Sequence, residues 1–259
     1  MIFISDIHHG IEHLKSLPSN KGPVVILGDL INWIDYRNGD GIAKDVFGNE
    51  NVELLIRYRK EHKFDERKNL WKKLYLDNPD EIASKMSKSI TKQYEDVFDA
   101  LLKNEVWIIP GNVDDVEIIN SHLSKSVINV DGELISYKNI TFGFSGGGVP
   151  TPINARGEIT EENFSKKLEA LSGCDIICTH APPKVPSLIT DVITNKEEQG
   201  WDSLLSFIQK YQPKYSLFGD VHQPVASKWV IGKTICRNIG YFRATSQYLE
   251  LSSLIIWIV

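Results

Sequence analysis

The chain has 259 residues, 42% hydrophobic and 24% charged, with a net charge of −5. That is enough to bury one sizeable core in an α/β domain, the composition is that of a globular chain, and the net charge argues against a surface built mainly to hold nucleic acid. Three cysteines, all in or beside apolar runs, are too few for a disulfide framework, and the longest apolar run, Leu254–Val259, is too short to span a bilayer.

The chain opens on an apolar run, Ile2-Phe3-Ile4, with no basic region or cleavage site before it, so we expect a cytoplasmic protein without a secretory leader. A short helix is expected over Gly10–Leu17 and a second strand over Val24–Leu27. Asp35–Glu50, rich in Gly, Asp and Asn, reads as a long loop. Amphipathic spacing from Leu54 to Leu76, and again after the helix start Asn78-Pro79-Asp80-Glu81, predicts a helical hairpin. Between Arg57 and Lys92 there are 11 Lys/Arg against 6 Asp/Glu, while the rest of the chain is net −10. That hairpin is either a solvated outer face or a cap over a substrate site.

Past a third apolar run, Val106–Ile109, a helix is expected from Val116 to Leu123. Three short strands then read over Val127–Val130, Leu134–Tyr137 and Ile140–Phe144, separated by Asp131-Gly132 and Lys138-Asn139 turns. Helices are predicted from Thr160 to Leu171 and from Trp201 to Tyr211. Strands are predicted over Ile176–Cys178, Tyr215–Phe218, Trp229–Ile231 and Thr234–Arg237, with a last buried strand at Leu254–Val259.

Five of these apolar runs end on a side chain that binds metals. The endings are Ser5-Asp6-Ile7-His8, Gly28-Asp29-Leu30-Ile31-Asn32, Gly111-Asn112-Val113-Asp114, Thr179-His180-Ala181 and Gly219-Asp220-Val221-His222. In open α/β sheets ligands gather outside the carboxyl ends of strands, so the five can converge on one rim. The set resembles the calcineurin-like metallophosphoesterase superfamily, whose signature runs Asp-x-His, Gly-Asp, Gly-Asn-(His or other)-(Asp/Glu), His, Gly-His-x-His. The resemblance runs from Ile2 to about Tyr241. Ser145–Pro152, Thr179–Pro183 and Asn238-Ile239-Gly240 look like a branch of small prokaryotic phosphoesterases.

The resemblance implies a two-sheet α/β/β/α sandwich over residues 1–259, interrupted by a helical insertion at about 35–104. It also implies a dimetal phosphoester hydrolase acting by attack of a metal-bound hydroxide on a phosphomonoester or phosphodiester. Asp6, His8, Asp29 and His222 would hold one ion, and Asn112 and His180 would help hold the other, with Asp29 bridging. Asp29, Asn112 and His180 are the expected catalytic residues. Carboxylate, amide and imidazole donors suit Mn²⁺, with Fe or Zn²⁺ as alternatives.

Two departures stand out. Asp220 replaces the first His of Gly-His-x-His, either as a harder ligand or as a side chain that falls short of the ion. Val113 stands where many members carry a His that protonates the leaving group, a contribution of typically about 10²–10⁴-fold. His9 and His13 are candidate replacements, and Asp114, with no His to orient, is expected to cap the following helix. Asn32, Arg156, Arg243 and His9 are candidate substrate contacts. The competing readings are a catalytically silent scaffold of the same fold, and a nuclease that grips nucleic acid with the basic insertion.

Overall fold

The computed structural model describes residues 1–152, 154–252 and 255–258. The chain forms two compact units, Met1–Leu30 with Val97–Val259, and Ile31–Asp96.

The first unit holds the strands β1 (Ile2–Ile4), β2 (Val24–Leu27), β3 (Val106–Ile109), β4 (Val127–Asn129), β5 (Leu134–Tyr137), β6 (Ile140–Ser145) and β7 (Ile176–Thr179). They are followed by β8 (Thr190–Asp191), β9 (Lys196–Glu197), β10 (Tyr215–Phe218), β11 (Lys228–Ile231), β12 (Thr234–Asn238), β13 (Leu249–Ser252) and β14 (Ile255–Ile258). One six-stranded sheet runs β14-β13-β1-β2-β3-β4 and the other β11-β12-β10-β7-β6-β5, with β8 and β9 as a separate ribbon. The strands that carry motifs are all parallel to their motif-bearing neighbours: β1 to β2, β2 to β3, and β7 to β10. Their carboxyl ends therefore emerge together, as the crossover geometry of a parallel sheet requires.

Why these runs become strands is visible in their burial. Every residue of β1, β2, β3 and β7 is buried, the pattern of parallel strands covered on both faces. Alternate residues form the layer between the sheets. Phe3, Val25, Leu27, Trp107 and Ile109 belong to the same buried cluster as Phe142, Phe144, Ile176, Cys178 and Leu217. A second cluster lines the opposite face of β7, β10 and β12, where Phe164, Leu168, Trp201, Leu204, Phe207 and Ile208 pack on Ile177, Phe218 and Cys236. These residues lie on or beside the helices Glu161–Glu169 and Asp202–Tyr211. Phe164 and Trp201 stack at 4.0 Å, 7° from parallel. All three cysteines are free and buried, and burial pushes the thiols of Cys174 and Cys236 up to about 12.

Thr160 caps the helix after it by accepting from Asn163 N at 3.2 Å. Lys138 and Asn139 both have positive φ, 49° and 63°, and join β5 to β6 as a tight hairpin. The Asp131-Gly132 turn does a different job: β4 pairs with β3 and β5 with β6, so the chain changes sheets there. β13 was not predicted. Of the last predicted strand, Ile255–Ile258 is β14, paired with β13; Leu254, Val259 and the expected burial of this run lie outside what is described. No helix among the described residues is long and apolar enough to cross a membrane.

The second unit contains the helices Ile42–Phe47, Asn49–Lys60 and Phe64–Leu76, and most of Pro79–Ala100. The expected hairpin is thus a set of four helices. The apolar spacing carries through Leu54–Leu76, but His62 turns left-handed, φ 56°, and Lys63 N donates back to Tyr58 O at 2.8 Å, closing the first helix. Glycine is usual at such a stop, and its absence hides this one in the sequence. Trp71 stacks on Trp33 and meets Phe47 edge-on. Asn32, near the start of this unit, is bonded to Gln93 through its backbone N and to Asp40 O through its side-chain amide.

Candidate metal centre

Asp6 and His8 lie just past β1, Asp29 past β2, Asn112 past β3, His180 past β7, and Asp220 and His222 past β10. The backbone there is bent sharply. Asp6, His8, Asp29 and Asp220 have φ of 57°, 39°, 58° and 65°, and each such residue costs on the order of 1–3 kcal/mol. Cross-loop hydrogen bonds hold the bends: Asp6 N to Gly28 O at 3.1 Å, His8 N to Asp29 O at 2.8 Å, and Gly219 N to His180 O at 2.8 Å. The motif glycines make room for the carboxylates. A Cβ on Gly111 would collide with Asp29 Oδ1, and one on Gly219 with Asp6 Oδ2.

Seven of the predicted residues come together as two groups that share Asp29. In the first, His8 Nε2 and His222 Nε2 are 3.1 Å apart, and Asp6 Oδ1 is 3.4 Å from His222 Nε2. Asp29 Oδ2 lies 3.4 Å from His8 Nε2. In the second, His180 Nε2 is 3.3 Å from Asn112 Oδ1, 3.4 Å from Asp29 Oδ1 and 3.7 Å from Asp220 Oδ1. One oxygen of Asp29 therefore faces each group. Single ligand atoms of Asp6, His8 and His222, and of Asp6, Asp29 and His180, lie within 4.8 Å of one another.

The electrostatics are those of an anionic nest. Burial, with the neighbouring charges of Asp6, Asp114 and Asp220, pushes Asp29 well above the ordinary carboxylate range. Burial also raises Asp220, with Asp6 adding to it. Asp6 goes the other way: burial alone would raise it, but His222, His180 and His8 together hold it low. His180 is lowered by burial and raised more by Asp29, Asp220 and Asp6, reaching about 9. Its Nδ1 donates to Leu27 O at 2.7 Å, which turns Nε2 toward the carboxylates. Asp6 Oδ1 is buried without a hydrogen-bond partner among the described residues. Divalent cations fit this donor set, since they would neutralise the crowded carboxylates and occupy the orphaned oxygen.

Asp114 is not a helix cap. It is fully buried and its carboxylate accepts from Asp29 N at 2.8 Å, Leu30 N at 3.0 Å and Gly111 N at 2.7 Å, tying two motif loops together. Burial raises its pKa, against the pull of those backbone donors. The cap of the helix Val116–Ser121 is Asp115, whose Oδ1 accepts from Glu117 N and Ile118 N. Val113 N donates to Asp29 Oδ1 at 3.3 Å.

The weaker candidates make the following contacts. Arg156 is exposed and pairs with Asp115. Arg243 Nη1 donates to the carbonyl of His8. His9 anchors its backbone N on Leu30 O, and His13 meets the ring of Phe242 edge-on at 6.0 Å. The side-chain amide of Asn32 is on Asp40 O in the second unit. Sequence reasoning missed Tyr241, which stacks on His222 at 3.8 Å; nothing local marks it.

The chain is 29% identical over 144 residues to the uncharacterized protein MJ1162 of Methanocaldococcus jannaschii, a match covering 52% of this chain and 63% of that relative, less than two thirds of its length. The crystal structure of TT1561 of Thermus thermophilus superposes over 100% of this chain and 96% of its own, with a TM-score of 0.54 and 12% identity, a likeness of fold. The model of the calcineurin-like phosphoesterase family, whose members are generally hydrolytic phosphoesterases, matches residues 1–224. This chain belongs to the calcineurin-like phosphoesterase family.

Proposed function

We propose that the protein is a cytoplasmic hydrolase of phosphomonoesters or phosphodiesters that works with two divalent cations, Mn²⁺ foremost. The observation that carries this reading is the division of Asp29, with Oδ2 3.4 Å from His8 Nε2 and Oδ1 3.4 Å from His180 Nε2. Asp6, His8, Asp29 and His222 would hold one cation, and Asp29, Asn112, His180 and Asp220 the other. Two such ions, when bound, supply an activated water and neutralise the phosphoryl oxygens.

The chain's own groups do the positioning. With a cation bound, the Leu27 carbonyl would keep the remaining proton of His180 on Nδ1 and leave Nε2 to ligate. Asp220 N donates to Asp6 Oδ2 at 3.0 Å, so the residue that departs from the family pattern also orients the first carboxylate. All of these donors are oxygen or imidazole nitrogen, a mixture suited to Mn²⁺ more than to a thiolate-type zinc site.

The test is to purify the protein, remove metal with chelator, restore Mn²⁺, and compare turnover of an aryl phosphomonoester, a bis-aryl phosphodiester and single-stranded DNA. Mn²⁺-dependent turnover of either small ester supports the reading. Inactivity on both, with two ions bound, would favour a silent scaffold, and activity on DNA alone a nuclease.

A further inference from the structure

The end of β12 and the residues after it fasten the two loops that carry Asp6, His8 and His222. Asn238 Nδ2 donates to the carbonyls of Gly219 at 3.2 Å and Val221 at 2.9 Å, and its Oδ1 accepts from Gly240 N at 2.8 Å. Phe242 N and Arg243 N donate to Ser5 O and Asp6 O at 3.1 and 3.2 Å, and Arg243 Nη1 reaches His8 O. Tyr241 sits between these two sets of bonds. Its carbonyl accepts from Ala244 N, Thr245 N and Thr245 Oγ1, which fixes its backbone.

Tyr241 is 9% exposed, and its ring lies 3.8 Å from the His222 imidazole, 3° from parallel. The same ring stands edge-on to His8 at 5.6 Å and 84°. A metal-binding imidazole is ordinarily oriented by a hydrogen bond at its other nitrogen. His180 has that bond, from Nδ1 to Leu27 O. His222 does not: its polar contacts among the described residues are all through Nε2. Its side chain is also 34% exposed.

We propose that Tyr241 is a positioning residue for the cation group Asp6–His8–His222, its flat ring replacing the missing Nδ1 hydrogen bond as the device that aims His222. The proposal rests on the metal-binding reading above. Face-on stacking leaves the imidazole free in only one plane, and in that plane Nε2 points at His8 Nε2 and Asp6 Oδ1. Without the stack, His222 would sample other rotations, and ordering it would oppose cation binding.

Two measurements on the folded protein test this. In metal-free ¹H–¹³C spectra, the His222 ring protons should show an upfield ring-current shift in the wild type and in Tyr241→Phe, lost in Tyr241→Leu. Calorimetric titration with Mn²⁺ in an Asn112→Ala background, which weakens the other group, then reads this group alone. Tyr241→Phe should bind as before and Tyr241→Leu about tenfold or more weakly, as for other groups that orient a ligand. Equal Mn²⁺ affinity in Tyr241→Phe and a folded Tyr241→Leu overturns the proposal. Where Tyr241→Leu does not fold, Tyr241→Met, similar in bulk but without a flat ring, decides by the same comparison. A wild type that binds no Mn²⁺ overturns the metal reading and this proposal together, whereas normal wild-type binding with an unaffected Tyr241→Leu removes the role of Tyr241 alone.

Discussion

At the residue scale the reading turns on two aspartates. Asp29 offers one oxygen to each group, and an amide in its place bridges two dications poorly. Asp29→Asn should abolish turnover and lower the bound metal from two ions per chain, measured by elemental analysis on the same preparation as the assay. Near-native activity with both ions present would remove the central claim. Asp220 Oδ1 stands 3.7 Å from His180 Nε2, near enough to share a cation with it. Asp220→Ala should leave one ion bound, and Asp220→His should keep two while shifting preference from Mn²⁺ toward Zn²⁺ or Ni²⁺. Two tightly held ions in Asp220→Ala would mean that another donor completes the second group.

At the scale of elements, the loops past β2 and β3 are joined by one buried carboxylate, Asp114, on the backbone amides of Asp29, Leu30 and Gly111. Removing it leaves three donors without their acceptor, at about 1–3 kcal/mol each. Asp114→Ala should therefore cost at least about 3 kcal/mol in denaturant unfolding and loosen metal binding with it. A loss below about 1 kcal/mol would show that water replaces the carboxylate without penalty. Another hub lies at the opposite ends of the strands. Asp175, one residue before β7, accepts from Thr141 N at 2.9 Å and pairs with Lys214 at 3.0 Å, and these contacts hold its carboxyl below the usual range. With a folded pKa below the unfolded value near 3.9, its contribution is fully present above about pH 4 and is lost as pH falls through the folded value. Asp175→Asn should lose stability at pH 7 and show a shallower acid decline than the wild type in parallel unfolding series. Identical acid slopes would count against it.

For the molecule as a whole, a crowded set of buried carboxylates makes folding and cation binding interdependent. Any ion that binds only the folded chain adds about 2.7 kcal/mol at a hundredfold excess over its Kd. Chelation should thus lower the Tm, and Mn²⁺ should restore it in a concentration-dependent way, while Asp29→Asn should respond much less. A Tm indifferent to chelator would mean that the carboxylates are neutralised by protons instead. The layer between the sheets gives the fold its own stability: truncating Phe144, fully buried there, should cost about 3–5 kcal/mol.

Features encoded within a few residues could be read along the chain. Short apolar runs ending on Asp, Asn or His marked β1, β2, β3, β7 and β10 and the order of the candidate ligands, because a strand's burial and the sharp turn after it depend on adjacent side chains. Lys138-Asn139 and Thr160 were legible for the same local reason. Tertiary structure alone decided the rest. The Asp131-Gly132 turn looks like that of a hairpin, but it passes the chain from one sheet to the other, since β4 finds its partner in β3, about twenty residues back. Asp114 looked like a cap and proved to be a brace, because its three donors include two from a loop 84 and 85 residues away. Tyr241 meets His8 from 233 positions along the chain, and no periodicity or turn signal can announce a contact whose two halves are brought together only by the packing of two sheets.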